Sequence, residues 1–169
     1  VGGDVTLAFT SMLNNFNTKV YENEDLTALF ESSDYSFQEI ITIASLIEKE
    51  TDGTDREKIA SVIYNRLENA GETAHYLQID AALVYAAGRP VTQDDYETLD
   101  SPYNLYQHTG LPPTPIANPG MASIKAALQP ADTDYYYYVL GADGTHVFSR
   151  TLSEHEKAKA EAAAAGVEN

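Results

Sequence analysis

The chain of 169 residues is long enough for one domain with one hydrophobic core, and its apolar fraction of 43% predicts that it folds. Its 26 acidic and 10 basic residues give a formal net charge of -16, which argues against a nucleic-acid binder and against attraction to an anionic membrane surface. The absence of cysteine excludes disulfides, thiol nucleophiles and zinc sites built on cysteine.

Three helices are predicted in the N-terminal part from apolar residues that recur at helical spacing. Two of them start with the spacing of a capping box, in which a Ser or Thr is followed three residues later by a Glu that bonds back to the backbone. Ser36 and Glu39 form one such pair, and Thr54 and Glu57 form the other. The predicted helices cover about 4–21, 36–50 and 54–67.

The C-terminal part combines short elements with a long irregular segment. Five prolines between residues 101 and 120 exclude a helix there, and the apolar and aromatic residues among them predict an ordered loop. A β-hairpin is predicted from 135–140 and 145–148 across a glycine-containing turn. Its four consecutive tyrosines, 135–138, are interpreted as structural strand residues that face core and solvent in turn. A short extended piece at 76–79 and helices at 80–87, 121–128 and 151–165 complete the prediction.

The predicted fold class is α+β. We expect a mostly helical single domain with a small antiparallel hairpin and a long, ordered, Pro-rich loop, which is residues 101–120 and is called the Pro-rich loop below. No internal repeat divides the chain. A start at Val1 in place of Met, with no secretory leader, predicts that the sequence is part of a longer protein.

The end of the second predicted helix carries two glutamates at the edges of an apolar stripe. On a helical wheel, Glu48 falls beside Ile41 at one edge, and Glu50 falls beside Ile43 at the other. A carboxyl group at such an edge loses part of its hydration, which raises its pKa and suits it to proton donation. Ordinary boundary glutamates are the commoner explanation of this pattern, and the wheel does not choose between the two residues.

The remaining reactive residues give little support to other chemistries. The four histidines have no metal-ligand spacing, so we predict neither a metal site nor a cofactor. No GxSxG, GxGxxG or P-loop motif is present, which argues against the corresponding acyl-transfer, dinucleotide and nucleotide sites. Lys49 and Lys58 lie at polar helical positions, whereas a pyridoxal enzyme needs a desolvated lysine.

Aromatic and amide side chains occur together in the Pro-rich loop. Tyr103 and Tyr106 suit stacking on sugar faces, and Asn104 and Asn118 suit hydrogen bonds to sugar hydroxyls. The same tyrosines could instead pin the loop to the core, and the sequence does not decide between these two roles.

Several motifs in a fixed order give the sequence a family resemblance. They are ASLIEKET (44–51), IASVIYNRL (59–67), LQID (77–80), SPYNLY (101–106), GLPPTPIANPG (110–120) and HVFSRTLSEH (146–155). In this order they resemble the YceG-like family of endolytic murein transglycosylases over about residues 40–155. The resemblance implies a catalytic core at 36–169, with residues 1–35 as its N-terminal helical part.

The resemblance implies lytic cleavage of peptidoglycan glycan strands. The bond between N-acetylmuramic acid and N-acetylglucosamine is broken without water, which leaves a 1,6-anhydro end. In this family the catalytic residue is the second glutamate of EKET, which is Glu50 in this chain. Hydrolases usually need two carboxylates. Here one carboxyl group can act as acid and then as base, because the nucleophile, the muramic C6 hydroxyl, is part of the substrate.

Residues in the shared motifs are the candidates for substrate binding. The chain departs from the family pattern at three places: two alanines follow Asp80 where the family often has Pro-Thr, Leu105 replaces a Thr, and Thr114 replaces a Gly. The change at Leu105 removes a hydroxyl that could contact substrate. The candidate residues are Gln78, Asp80, Tyr103, Asn104, Tyr106, Asn118 and Ser123.

The resemblance also implies a location and partners. Family members usually carry an N-terminal transmembrane anchor and a LysM-like module, and neither is visible here, since no run of about 18 apolar residues occurs. We expect action at the extracytoplasmic face of the bacterial membrane, on glycan strands and beside the cell-wall synthesis machinery, through an anchor outside this chain. The alternatives are a non-catalytic glycan-binding module and, with less support, a pyridoxal-dependent lyase.

Overall fold

A computed structural model describes residues 4–51, 53 and 55–167. The chain divides into two compact units, residues 1–37 and 38–169. Thr54 lies outside the described residues, and so does the capping pair predicted for it. Within the described part of the chain, no helix is long and apolar enough to cross a membrane.

The first unit is helical, and its aromatic residues form a cluster. Helix α1, Val5–Phe16, is capped by Asp4 and continues as a π-helical segment, Asn17–Tyr21, so the predicted helix over 4–21 ends in a widened turn. Helix α2, Glu24–Ser32, was not predicted, although Asn23 caps it and two acidic residues open its first turn. The cluster joins the rings of Phe16, Tyr21, Phe30 and Phe37.

The second unit is built around two core helices. Helix α3 buries Ile43 and Ile47, and helix α4 buries Ile59 and Ile63, each at helical spacing as the apolar pattern predicts. Among the described residues this unit has four further helices, and the one-turn helix among them was not predicted. The helices are α3 (Phe37–Glu50), α4 (Arg56–Glu68), α5 (Asp80–Ala87), α6 (Asp95–Thr98), α7 (Met121–Leu128) and α8 (Leu152–Ala164).

A two-stranded antiparallel sheet confirms the predicted hairpin and the α+β class. Strand β1, Tyr137–Leu140, pairs with strand β2, His146–Ser149, and Leu140 lies opposite His146. Side chains of β1 alternate, since Tyr137 is buried and Tyr138 is half-buried. The extended piece predicted at 76–79 forms no strand; Gln78 has a positive φ of 50°, which breaks an extended conformation.

The Pro-rich loop contains neither helix nor strand, as predicted, and it is fixed by buried contacts. The side-chain amide of Asn104 donates to the carbonyls of Asp95, Tyr96 and Leu99 at 3.4, 3.3 and 3.1 Å. Farther along, the Ile116 amide donates to Ser45 Oγ of α3 at 3.0 Å. These bonds tie the loop to the core, which explains why a segment rich in proline is ordered.

Candidate active site

The last turn of α3 directs two glutamates into different surroundings. Glu48 and Glu50 are both half-buried, and Lys49 between them is exposed. Successive helical positions differ by about 100°, so the two carboxyl groups leave the helix about 200° apart. Each meets a different part of the second unit.

Glu50 contacts the hairpin and has the features of a proton donor. The Tyr138 hydroxyl donates to Glu50 Oε2 at 2.7 Å. Burial raises the pKa of Glu50, and this effect outweighs the hydrogen bond from Tyr138, which lowers it. The negative charge of Asp80 adds to the rise. A carboxyl group with a raised pKa keeps its proton closer to neutral pH, as a general acid must.

Two cavities meet at Glu50. The larger, about 840 Å³, is called the hairpin cavity and extends past Lys49, Lys58 and Thr145. The smaller, about 510 Å³, is called the α8 cavity and extends past Asp80 and helix α8. Residues that line both are Glu50, Leu140 and His146. A long substrate that filled both cavities would pass Glu50 at their junction.

One wall of the α8 cavity comes from residues predicted to bind substrate. Gln78, Asp80 and Tyr106 all line this cavity. The Tyr106 hydroxyl donates to Asp80 Oδ1, and burial, then this hydrogen bond and the charge of Asp80, raise the pKa of Tyr106. Positive φ at a non-glycine residue costs free energy and often occurs at functional sites, and Gln78 adopts it beside this wall. The structure therefore brings these three candidates together beside Glu50.

Arg66 is a buried cation on the same cavity wall. Its guanidinium donates to the backbone carbonyls of Tyr136 and Leu77, and it lies 5.4 Å from the centre of the Tyr137 ring. Burial lowers the pKa of Arg66, while the charges of nearby tyrosines and of Glu50 oppose that change. Conversely, its positive charge favours the carboxylate form of Glu50. The site thus has a cation that limits how far the Glu50 pKa rises.

A histidine and an aspartate form a second pair beside Glu50. His146 Nδ1 lies 2.6 Å from Asp55 Oδ2, and the Thr51 hydroxyl donates to Asp55 Oδ1 at 2.7 Å. Burial raises the pKa of Asp55, but the hydrogen bonds from Thr51 and His146 outweigh it, so the net pKa is lowered. Asp55 is therefore ionised at neutral pH. The His146 ring also packs edge-on against Tyr138, with ring centres 5.5 Å apart.

Glu48 is bound to the start of α7. Its Oε2 accepts hydrogen bonds from Ser123 Oγ at 2.6 Å and from the Gly120 amide at 3.0 Å. The bond from Ser123 lowers the pKa of Glu48 against the opposing effect of burial. Glu48 therefore caps α7 and ties the Pro-rich loop to α3.

Four of the predicted binding residues lie elsewhere. Asn104 and Ser123 have no exposed surface, and their polar groups bond backbone carbonyls and Glu48. Tyr103 bonds Thr114 at 2.7 Å and packs against Tyr85. None of these three lines either cavity at Glu50, and neither does the exposed Asn118.

Sequence reasoning missed four residues at the site. Tyr138 was interpreted as a strand residue only, and Asp55, Arg66 and His146 were not singled out. Signals in the sequence concerned three of them: strand alternation placed Tyr138 opposite Tyr137, Arg66 lies in IASVIYNRL, and His146 opens HVFSRTLSEH. No group of three or more His, Asp or Glu side chains suited to a metal ion occurs among the described residues.

Comparisons with known proteins identify the family. The YceG-like family model matches residues 4–161, and the chain belongs to this family. It is 43% identical over 159 residues to the endolytic murein transglycosylase of Bacillus subtilis, covering 92% of this chain and 41% of that protein. It is 33% identical over 140 residues to the endolytic murein transglycosylase of Streptococcus pneumoniae, covering 78% of this chain and 25% of that protein.

A solved structure is similar over the same span. The crystal structure of a YceG-like protein from Listeria monocytogenes matches with a TM-score of 0.79 and 39% identity, covering 92% of this chain and 50% of that one. The chain thus spans less than half the length of the curated relatives that it matches.

Proposed function

We propose that this chain is the catalytic part of an endolytic peptidoglycan lytic transglycosylase and that Glu50 is its catalytic acid. The observation that carries the proposal is a glutamate with a raised pKa at the junction of two cavities. The family supports it, since curated relatives are named endolytic murein transglycosylases. The substrate is a glycan strand of the cell wall, and the reaction takes place outside the cytoplasm.

The reaction starts with Glu50 protonated. Its proton passes to the oxygen that joins N-acetylmuramic acid to N-acetylglucosamine, and the bond from that oxygen to C1 breaks. The positive charge that develops at C1 is met by the C6 hydroxyl of the same muramic residue, whose oxygen bonds to C1. In the simplest form, the Glu50 carboxylate then takes the hydroxyl proton. Intramolecular attack needs no second carboxylate as nucleophile.

Neighbouring groups control the protonation of Glu50 during the reaction. The Tyr138 hydroxyl occupies Oε2, which leaves Oε1 to carry and deliver the proton. Arg66 and the same hydroxyl stabilise the carboxylate that forms after proton donation. The oxygens of Asp80 accept from Tyr106 and Tyr96, which hold this second carboxylate in place at the cavity wall.

The two cavities suit a substrate that extends to both sides of the cleavage point. Gln78, Asp80 and Tyr106 offer polar contacts to sugar hydroxyls and amides in the α8 cavity. Lys49, Lys58 and Thr145 offer them in the hairpin cavity. Since the site lies at a junction rather than at a closed end, a cut within a strand is sterically simple.

The alternatives fit the site less well. A glycan-binding module without catalysis predicts a solvated Glu50 outside any cleft, whereas Glu50 is half-buried between two cavities. A pyridoxal-dependent lyase needs a desolvated lysine, and both Lys49 and Lys58 are exposed.

Mass spectrometry of the products from purified peptidoglycan tests the proposal. We expect fragments with 1,6-anhydro ends from the unmodified protein and none from Glu50→Gln, with an unchanged circular dichroism spectrum. Reducing ends in place of anhydro ends would mean hydrolysis. Undiminished anhydro product from Glu50→Gln would remove Glu50 from the mechanism.

A further inference from the structure

The Asp55–His146 pair is arranged as an oriented proton acceptor. Asp55 is ionised, so its oxygens only accept hydrogen bonds, and the 2.6 Å contact requires a proton on His146 Nδ1. In a neutral imidazole the other nitrogen, Nε2, then carries a lone pair. Thr51 fixes the far oxygen of Asp55, which holds the carboxylate in place. The same arrangement orients the base in nucleophilic enzymes.

The position of His146 places its ring at the site. Asp55 occupies the Nδ1 edge of the ring, and Tyr138 packs edge-on with it. The His146 side chain keeps 13% of its surface exposed, and His146 lines both cavities that meet at Glu50. The exposed part of the ring is therefore part of the cavity surface, next to the tyrosine whose hydroxyl holds Glu50.

We propose that His146 is a second catalytic residue, which accepts the proton of the muramic C6 hydroxyl through Nε2. This step rests on the proposed function and replaces the return of that proton to Glu50. Glu50 gives its proton to the leaving oxygen as the bond to C1 breaks. The C6 oxygen forms the new bond to C1 and loses its proton to Nε2. The imidazolium and the Glu50 carboxylate then exchange one proton, which restores both residues without water being consumed.

A separate base solves a difficulty of the single-carboxylate form. In the single-carboxylate form, Glu50 must donate to the departing oxygen and then accept from the C6 hydroxyl that replaces it on the same face of C1, so the carboxyl group has to reorient between the two steps. Tyr138 holds Glu50 Oε2, which restricts such a movement. The carboxylate of Asp55 directly stabilises the imidazolium that forms. The other charged groups that line the two cavities are Glu48, Lys49, Glu50 and Lys58 on the hairpin side and Arg66, Asp80, Glu156 and Lys159 on the α8 side.

His146→Gln tests this role by the initial rate of release of anhydro-ended fragments from purified peptidoglycan. General base catalysis contributes roughly 10²–10⁴-fold, so we expect a loss of that size, with anhydro ends still present in the residual product. The matched control is His108→Gln, which changes an exposed histidine outside both cavities and should leave the rate unchanged.

A rescue experiment separates catalysis from structure. In His146→Ala, added imidazole should restore a measurable part of the rate, because a free base can enter the vacated space. Asp55 is a positioning residue, so Asp55→Asn should slow the normal chain but cause little further loss in His146→Ala, since the two act as a unit.

The outcomes are separable. Full activity of His146→Gln beside an inactive Glu50→Gln overturns the role of His146 and leaves the proposed function intact. Loss of activity in His146→Ala with no rescue by imidazole overturns it as well, because the histidine would then be structural. An active Glu50→Gln variant would instead overturn the proposed function.

Discussion

The two glutamates at the end of α3 face two regions that differ in their hydrogen-bond partners and in their effect on the glutamate pKa. On one side Glu48 accepts hydrogen bonds from Ser123 and Gly120, and its pKa is lowered. On the other side Glu50 meets one tyrosine hydroxyl and two cavities, and burial raises its pKa. Identical side chains two positions apart thus take opposite protonation tendencies from their surroundings.

The regions behind these glutamates also differ. The Pro-rich loop behind Glu48 uses its polar groups internally, as Asn104 shows with its three backbone carbonyls. The hairpin behind Glu50 places Tyr138 and His146 in a cavity wall, where their polar groups bond the carboxyl groups of Glu50 and Asp55. Satisfied polar groups fix a structure, whereas polar groups that face a cavity are available to a substrate.

The largest effect that we expect from this comparison is on activity. Glu50→Gln removes the acid and should lower the rate of anhydro-fragment release by about 10³-fold or more. Glu48→Gln keeps an acceptor for Ser123 and should lower that rate only a few-fold. Both rates come from the same peptidoglycan digest. Equal losses of rate in Glu50→Gln and Glu48→Gln would contradict the assignment of catalysis to Glu50 and of a structural role to Glu48.

The next largest effect concerns stability on the loop side. Asn104→Ala leaves three backbone carbonyls without their shared donor in a fully buried position, so we expect a loss of about 2–4 kcal/mol in the free energy of unfolding. Urea denaturation measures it. Asn118→Ala, at an exposed position of the same loop, is the control and should change stability by less than about 0.5 kcal/mol. Similar values for the two would refute the structural role of Asn104.

Tyr138→Phe should have a smaller effect with a defined sign. The Tyr138 hydrogen bond lowers the pKa of Glu50 against burial, so its loss raises that pKa further. Glu50 then stays protonated to higher pH, so the alkaline limb of the pH-rate profile moves to higher pH. We expect the maximum rate to fall roughly tenfold, because the carboxyl group is less well oriented. Tyr136→Phe, at a neighbouring position outside both cavities, serves as the control. An alkaline limb that moves to lower pH in Tyr138→Phe would contradict the conclusion that the Tyr138 hydrogen bond lowers the pKa of Glu50.

The sequence predicted most of the helices, because apolar residues at helical spacing and prolines act locally. It placed α5 and α7 at their observed bounds and the hairpin within two residues of its own. It missed α2 and α6, which bury one residue each. Helix α6 has only four residues, too few to show a helical repeat of apolar positions.

The site was harder to predict because it is built from distant segments. The helical wheel placed Glu48 and Glu50 symmetrically, and only contacts 72 or more residues away in the chain, to Gly120 and Tyr138, distinguish them. The tyrosine run 135–138 reads as an ordinary strand, since nothing local shows that one hydroxyl meets a carboxyl group. Similarly, the side-chain amide of Asn104 is a suitable hydrogen-bonding group for sugar hydroxyls, but Asn104 is buried by contacts that its local sequence does not reveal.

The last prediction uses stability to compare the two glutamates without a substrate. The pKa of Glu50 is higher in the folded than in the unfolded chain, so ionisation weakens the fold as pH rises from about 4.3 through the raised value. Glu50→Gln removes this cost and should be more stable than the parent at pH 7. The pKa of Glu48 is lower in the folded chain, so its charge stabilises the fold above about pH 4.3 and this gain is lost on acidification.

Glu48→Gln should therefore be less stable than the parent at pH 7, by about 0.3–1 kcal/mol for a partly exposed charge at a helix N-terminus. Thermal unfolding followed from pH 7 towards pH 4 measures both variants, at roughly 2–4 °C per kcal/mol for a chain of this size. The two differences from the parent should have opposite signs at pH 7 and should both shrink as the glutamates become protonated. Shifts of the same sign would mean that the two carboxyl groups share one environment, since only oppositely displaced pKa values give oppositely directed changes in stability.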